Sequence, residues 1–120
     1  KIVKVINYQE NPYPYLKLSD CMILTSLFEG LPNVLLEALT LKKFIISTDC
    51  PTGPNEILLN GKYGFLFKIG DYNQLSSLIL KYSKNKKLFY KKTMLGFKSL
   101  NRFDYMNNCK KYLKVILETL

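Results

Sequence analysis

The feature that most constrains the fold of this chain is an apolar helical segment between two short apolar runs. The runs cover residues 21–25 and 44–48, and neither alternates polar with apolar side chains. Continuous apolar runs of this length are typical of strands buried on both faces of a parallel sheet. The segment between them, residues 32–41, is apolar on nearly every side and predicts a buried helix. Strand, helix and strand in this order predict a parallel sheet with crossover helices.

Further segments extend this pattern on both sides. The sequence predicts strands at 1–6 and 65–67, short helices at 12–18 and from residue 57, and longer helices at 72–84, 86–99 and 104–117. Asn11 and Asp71 are placed to cap helices. The helix predicted at 72–84 is expected to face inward with Leu75, Leu78, Ile79 and Tyr82. The helix predicted at 104–117 is expected to face inward with Tyr105, Cys109, Tyr112, Leu113 and Ile116. The predicted fold class is α/β, a Rossmann-like parallel sheet with flanking helices.

The polar residues of the buried helix indicate a binding site. Asn33, Glu37 and Thr40 stand at i, i+4 and i+7 and therefore share one face. Pro32 suits the first turn, whose free N–H groups and partial positive charge favour an anion such as phosphate. Glu29 lies in the loop just ahead. A nucleotide-sugar, with an anionic middle and hydroxyls at both ends, matches these features. A buried helix whose carboxylates reach solvent or a nearby lysine explains the same spacing.

The ends of the predicted strands carry further polar residues. In parallel sheets, ligands bind beyond the carboxyl ends of the strands. Ser26 follows the first apolar run, and Asp49 follows the second. The turn-rich segment 49–56 includes Gly53 and Pro54, which indicates either backbone that comes close to another group or a tight turn.

Several chemistries are disfavoured by what the sequence lacks. The chain has three cysteines, far apart, and no histidine. It therefore offers neither a zinc site of the usual spacing nor a Ser-His or Cys-His nucleophilic pair. No aspartate pair with metal-site spacing appears, so we expect no required cation and no cofactor. Unpaired thiols are typical of a reducing cytoplasm.

The formal net charge is +9, and much of the positive charge falls in residues 81–92. This basic stretch has two interpretations, a contact with anionic lipid headgroups and an ordinary solvated face, and we favour the second. Nucleic-acid binding is not expected, because no recognition motif accompanies the charge. No apolar run approaches the roughly 20 residues that a membrane span needs.

The string Phe-Glu-Gly-Leu-Pro-Asn-Val-Leu-Leu-Glu-Ala-Leu at 28–39 resembles a known motif. It is similar to the paired-glutamate motif of retaining glycosyltransferases with the GT-B fold, and in particular of glycosyltransferase family 4 (group 1). The segment Asn-Gly-Lys-Tyr-Gly-Phe-Leu at 60–66 also resembles that family, and the likeness extends to about residue 85.

The resemblance assigns a role to each matching residue. It implies that Glu29 is the catalytic-site residue that contacts hydroxyls of the donor sugar. The other donor-binding residues implied are Gly30 and Leu31 beside the sugar, Asn33, Val34 and Leu35 with N–H groups toward the diphosphate, and Glu37 on the ribose. A donor loop formed by Ser26, Asp49, Gly53 and Pro54 would lie beside the sugar and diphosphate.

The chain also departs from the family pattern. The family usually has glycine and proline where this chain has Lys42 and Phe44. The first strands of the family's C-terminal domain, its glycine-rich turn and its basic diphosphate residue are not found, nor is the acceptor-binding N-terminal domain. We therefore interpret residues 1–120 as an N-terminally truncated donor-binding domain, with the sheet core and donor site in 1–70 and C-terminal helices in 71–120. Such a piece alone is expected to fold poorly or bind ligand weakly.

The resemblance implies a retaining hexosyltransferase-type enzyme. It would transfer a sugar from a nucleotide diphosphate sugar, such as a UDP-sugar, to a sugar or lipid-linked saccharide acceptor in bacterial polysaccharide, lipopolysaccharide or glycan biosynthesis. The acceptor would be bound through the N-terminal domain. The expected location is the cytoplasm, with peripheral contact at the inner face of the membrane under the lipid interpretation. The alternatives are a nucleotide-sugar-binding module without transferase activity and a sugar-nucleotide epimerase of the same fold.

Overall fold

The computed structural model describes residues 2–119 and has a three-stranded parallel sheet at its centre. The strands are β1 (Cys21–Leu24), β2 (Phe44–Thr48) and β3 (Phe65–Phe67), in the order β1-β2-β3. Cys21 pairs with Phe44 in register, and Ile46 with Phe65. The α-helices of the described chain are α1 (Tyr13–Leu18), α2 (Asn33–Thr40), α3 (Pro54–Leu58), α4 (Tyr72–Lys84), α5 (Lys86–Lys98) and α6 (Tyr105–Thr119), with a 3₁₀ helix at Ser99–Phe103. The predicted parallel α/β fold is confirmed.

The core lies on both faces of β2, whose five residues are all buried. On one face, Ile45 packs with the apolar side of α2 and with α3. On the other, Phe44 stacks on Tyr82 with ring centroids 4.7 Å apart and meets Phe65 edge-on at 5.0 Å. A central strand buried on both faces accounts for the continuous apolar run in the sequence. The inward face predicted for α4 is confirmed.

Local signals account for the helix boundaries. The Asp71 carboxylate accepts a hydrogen bond from the Gln74 N–H at 2.8 Å, which confirms the predicted cap of α4. Helix α2 begins at Asn33 rather than Pro32, because Pro32 is still extended (ψ 101°). After α2 the chain turns at Lys42, whose φ of +54° lies in the left-handed region that favours glycine. The departure from the family's glycine therefore falls where the backbone prefers one.

The strand predicted at 1–6 is wrong for the described residues 2–6, and Lys1 lies outside them. Residues 2–6 have no regular structure, and Ile2, Val3 and Val5 are exposed. β-branched residues raise strand propensity, but a strand also needs a neighbour to complete its hydrogen bonds. Within the described chain, no strand lies beside this segment.

The burial predicted for the last helix is also wrong. Helix α6 forms, but each of its described residues that was expected inward is exposed, including Tyr112 (74%) and Ile116 (56%). An amphipathic pattern predicts the helix and its apolar side, whereas burial needs a surface to receive that side. No such surface is provided by the rest of residues 2–119. In that same range, no helix is long and apolar enough to cross a membrane.

Candidate functional site

Two loops meet where β1 and β2 end. The first covers residues 25–32 and the second residues 49–53, and we call them together the strand-end loops. The Thr48 hydroxyl donates to the Ser26 carbonyl at 2.8 Å, and the Cys50 thiol donates to the same oxygen at 3.2 Å. Thr48 and Cys50 are both buried. The end of β2 therefore fixes the loop that follows β1.

Glu29 is held by this arrangement at two points. The Ser26 hydroxyl donates to Glu29 Oε1 at 2.6 Å. The Thr52 hydroxyl, from the other strand-end loop, donates to the Glu29 backbone carbonyl. Because both the carboxylate and the backbone have partners, the orientation of this half-buried side chain is set before any ligand arrives.

Gly53 lets the two loops touch. Its φ is +88°, and a Cβ built there would lie 2.1 Å from the Gly30 carbonyl oxygen and 2.6 Å from Pro32 Cδ. No larger residue fits without a shift of backbone. The close approach that the sequence indicated at Gly53 is therefore to the chain's own loop, and Pro54 is buried beside it as the first residue of α3.

The start of α2 offers fewer free N–H groups than the sequence predicted. The Leu35 N–H donates to the Pro32 carbonyl at 3.0 Å, and Leu35 is fully buried. Within residues 2–119, the N–H groups of Asn33 and Val34 have no acceptor. Gly30 and Leu31, just ahead, are exposed, and a Cβ at Gly30 would meet no atom within 4 Å. This helix end thus has donors and open space beside it.

Glu37 lies between two grooves. The first, of ≈ 270 Å³, contains the polar face predicted for α2 and is lined by Tyr13, Asn33, Leu36, Glu37 and Thr40. The second, of ≈ 340 Å³, is more apolar and is lined by Pro12, Tyr15, Leu16, Ser19, Cys21, Met22, Val34 and Glu37. Glu37 takes part in neither ion pair found in the described chain, Lys86–Asp20 and Lys114–Glu118. Its carboxylate is therefore a hydrogen-bond acceptor at the junction of a polar and an apolar surface.

Asp49 faces a different groove from Glu37. Its carboxylate accepts from Asn55 Nδ2 at 3.1 Å, and it lines a groove of ≈ 440 Å³ with Phe67, Lys68 and Gln74. The structure thus brings Ser26, Glu29, Gly30 and Gly53 together, while Asp49 points to the end of β3.

Two residues that hold the site in place, Thr52 and Arg102, were not predicted from the sequence. Thr52 was not singled out, although a hydroxyl in a proline-glycine turn is a recognisable signal for a side chain that bonds backbone. Arg102 gave no local signal. Its guanidinium donates to the carbonyls of Glu56 (3.1 Å) and Ile57 (2.9 Å), and so closes the end of α3 from far along the chain.

The site has the chemistry of an anion and hydroxyl receptor. A fixed carboxylate, two free N–H groups at a helix start and a second carboxylate follow each other along one surface. Across residues 2–119, no group of three His, Cys, Asp or Glu side chains is arranged to hold a metal ion.

Comparison with known proteins gives a family match over most of the chain. The family model described as glycosyl transferases group 1 matches residues 1–95. An uncharacterized glycosyltransferase of Methanocaldococcus jannaschii is 48% identical, over 55% of this chain and 20% of that protein. A lipopolysaccharide 1,6-galactosyltransferase of Escherichia coli is 34% identical, over 66% of this chain and 24% of that protein.

A third relative covers more of the chain at lower identity. It is the N-acetylgalactosamine-N,N'-diacetylbacillosaminyl-diphospho-undecaprenol 4-alpha-N-acetylgalactosaminyltransferase of Campylobacter jejuni, 25% identical over 92% of this chain and 31% of that protein. The chain therefore spans between a fifth and a third of the length of these relatives.

Solved structures show the same fold. The crystal structure of TarM superposes with a TM-score of 0.80 at 21% identity, over 89% of this chain and 22% of that one. The C-terminal domain of a glycosyl transferase group 1 family protein from Francisella tularensis gives 0.69 at 22% identity, over 83% of this chain and 51% of that one.

Proposed function

Because the chain belongs to the group 1 glycosyl transferase family, with a GT-B-type fold, we propose that it provides the donor site of a sugar transferase. The reaction is transfer of a sugar from a nucleotide diphosphate sugar to an acceptor. The observation that carries the proposal is the double fixation of Glu29, by Ser26 and Thr52, immediately before the free N–H groups of α2.

The proposed roles follow the order of these groups along the surface. Glu29 accepts hydrogen bonds from the donor sugar, which lies over the open backbone of Gly30 and Leu31. The N–H groups of Asn33 and Val34 bind the diphosphate. As the bond to the sugar breaks, negative charge grows on that diphosphate, and donors already aimed at it lower the barrier.

Glu37 and its two grooves suit the nucleoside end of the donor. The carboxylate accepts from the ribose hydroxyls. The apolar groove between α1 and α2 is available to a planar base. Leu35, whose N–H is already bonded within the chain, supports the helix start by packing.

The finer assignment is a retaining hexosyltransferase of glycosyltransferase family 4. The motif at 28–39 supports it. Proton NMR of a freshly formed product checks the stereochemistry: the donor's anomeric configuration is expected in the product, and inversion would contradict this assignment.

We propose a saccharide or lipid-linked saccharide as the acceptor, bound outside these residues, in the cytoplasm. Support comes from the names of two relatives, one acting on lipopolysaccharide and one on a diphospho-undecaprenol saccharide. The role would then be in polysaccharide, lipopolysaccharide or glycan biosynthesis.

No divalent cation is required in this proposal, because the helix start and its N–H groups receive the diphosphate. Turnover is expected to persist in EDTA. Activity that disappears with EDTA and returns with magnesium or manganese would show this part to be wrong.

The proposed function is tested with the product of the entire reading frame that encodes this chain. It is incubated with a panel of nucleotide diphosphate sugars and saccharide acceptors, and release of nucleoside diphosphate is followed. Acceptor-dependent release that is lost in Glu29→Ala is expected. Tight binding of the nucleotide-sugar without release of nucleoside diphosphate, whichever acceptor is added, would instead indicate a binding module. Conversion of the nucleotide-sugar to its epimer without an acceptor would indicate an epimerase.

A further inference from the structure

The positive charge of the chain is concentrated on one part of the fold. Residues 72–103, which form α4, α5 and the 3₁₀ helix, contain seven lysines and one arginine and no aspartate or glutamate. The whole chain has 18 basic and 9 acidic residues. This region therefore has a positive field that its own residues do not neutralise.

Some of these cations already have partners in the fold. Lys86 forms an ion pair with Asp20 at 2.8 Å. The ammonium groups of Lys81 and Lys92 lie 5.2 and 5.1 Å from the centroid of the Phe65 ring. Burial, together with the charge of Lys81, lowers the pKa of Lys92.

Three lysines of α5 lack such partners and share one face. Lys87, Lys91 and Lys98 stand at i, i+4 and i+11, are exposed, and belong to no ion pair of the described residues. Leu88 (72% exposed) and Leu95 (40% exposed) form a stripe directly beside them on the helix surface. We call these five residues the outer face of α5. It combines free ammonium groups with leucine side chains that the fold leaves in water.

The outer face is presented by a helix that is firmly packed on its other side. The Phe89 ring lies 5.3 Å from Phe44 and 5.0 Å from Phe65, centroid to centroid. A Cβ at Gly96 would lie 2.8 Å from Leu39 Cδ2, so α5 sits close against α2. The exposure of Leu88 and Leu95 is thus a property of a docked helix.

We propose that the outer face of α5 docks onto a lipid bilayer that carries anionic headgroups. The lysines meet the headgroup phosphates, and the leucines enter the boundary of the acyl chains, as in other basic amphipathic helices that lie on membranes. A nucleic acid would bind the lysines but has no partner for the two aliphatic side chains beside them. The exposed leucines therefore favour lipid, in place of the ordinary solvated face that the sequence alone favoured. This inference does not depend on the proposed transferase chemistry.

The test is co-sedimentation of the entire reading-frame product with vesicles of phosphatidylcholine, with and without phosphatidylglycerol. Binding is expected only with phosphatidylglycerol. The triple variant Lys87→Gln/Lys91→Gln/Lys98→Gln should lose about fivefold per lysine, on the order of a hundredfold in all. The matched control Lys4→Gln/Lys17→Gln/Lys62→Gln, which removes the same charge from exposed lysines that line none of the grooves beside Glu37 and Asp49, should bind nearly as the parent does. Leu88→Ser should weaken binding by about three- to tenfold.

Circular dichroism melts and titration with nucleoside diphosphate accompany each variant. Lost vesicle binding with an unchanged melt and unchanged diphosphate affinity assigns the effect to the outer face. Equal losses of vesicle binding in the two triple variants would overturn the proposal. So would parent protein that binds vesicles equally well, or not at all, with and without phosphatidylglycerol. If the protein bound an RNA oligonucleotide tightly, with an affinity that Leu88→Ser did not change, and did not bind vesicles, the proposal would be overturned in favour of nucleic acid. If the parent protein bound vesicles as expected but did not bind nucleoside diphosphate, the result would count against the proposed transferase function and not against the membrane proposal.

Discussion

The strand-end loops and the outer face of α5 are both polar surfaces, but they differ in how their polar groups are held. In the loops, Ser26, Glu29, Thr48 and Thr52 bond one another through side chains and backbone. On the outer face of α5, Lys87, Lys91 and Lys98 are exposed and belong to no ion pair of the described chain. The first surface is fixed before a ligand binds, whereas the second can adjust to whatever anionic surface it meets.

This difference teaches which changes each surface should tolerate. A prearranged site depends on its supporting contacts, because a small displacement spoils the geometry of several groups at once. A field of long, mobile cations depends on total charge and little on the position of any one group. Substitutions in the loops should therefore affect stability and donor binding together, and substitutions near α5 should affect neither strongly.

Gly53→Ala should have the largest effect. The new Cβ would overlap the Gly30 carbonyl and Pro32, and the positive φ adds strain of its own. Together these should lower the free energy of unfolding by roughly 2–5 kcal/mol and displace Glu29. Urea unfolding and donor titration measure the two effects.

Gly70→Ala is the matched control for backbone strain. Gly70 has a similar φ of +78°, but a Cβ there meets no atom within 4 Å. Only the strain of about 1–2 kcal/mol is expected. If both variants lost the same stability, the contact between the two loops would contribute nothing.

Thr48→Val should have an intermediate effect. Valine keeps the shape of the buried side chain but removes the hydroxyl that donates to the Ser26 carbonyl. A loss of about 1–2 kcal/mol in the free energy of unfolding is expected. Thr40→Val removes an exposed hydroxyl that donates to the Leu36 carbonyl, and should cost much less. A larger loss in Thr40→Val would contradict the view that the loops are held by buried bonds.

The ion pair at the base of α5 should have the smallest effect. Lys86 lowers the pKa of Asp20 by hydrogen bonding and charge, so the stabilisation is present above the ordinary pKa of 3.8 and is lost as the pH falls through the lower folded value. Both groups are exposed, and solvent screens the pair. Asp20→Asn should therefore reduce stability slightly at neutral pH and not at all in strong acid. A large loss at neutral pH would show that the surface near α5 is as tightly organised as the loops.

The sequence predicted the parts of the fold that depend on local pattern. Strands β2 and β3 follow from short apolar runs, and helix α4 follows from its periodicity and from the cap at Asp71; these signals act within a few residues. The strand at 1–6 and the buried face of α6 were wrong, because pairing and burial depend on what lies alongside. Periodicity contains no information about that neighbour.

In the candidate site, too, features set by local pattern could be predicted and features set by tertiary contacts could not. The polar face of α2 and the position of Glu29 ahead of it were visible in the sequence. The bonded N–H of Leu35 was not, because it depends on a single backbone turn at Pro32. The contacts of Thr52 and Arg102 join distant segments, and only the tertiary structure brings those segments together.

The central claim, that Glu37 and Glu29 serve opposite ends of one donor, is tested by calorimetric titration of bare nucleoside diphosphate into the entire reading-frame product and its variants. Glu37→Ala should lose roughly ten- to a hundredfold in affinity, since a hydrogen bond to a charged group is removed. Glu29→Ala should keep most of the affinity and lower kcat instead, because its partner is the sugar. Glu118→Ala, which removes an exposed carboxylate of α6 that lines neither groove beside Glu37, controls for the change in charge. Equal losses in Glu29→Ala and Glu37→Ala would contradict the account.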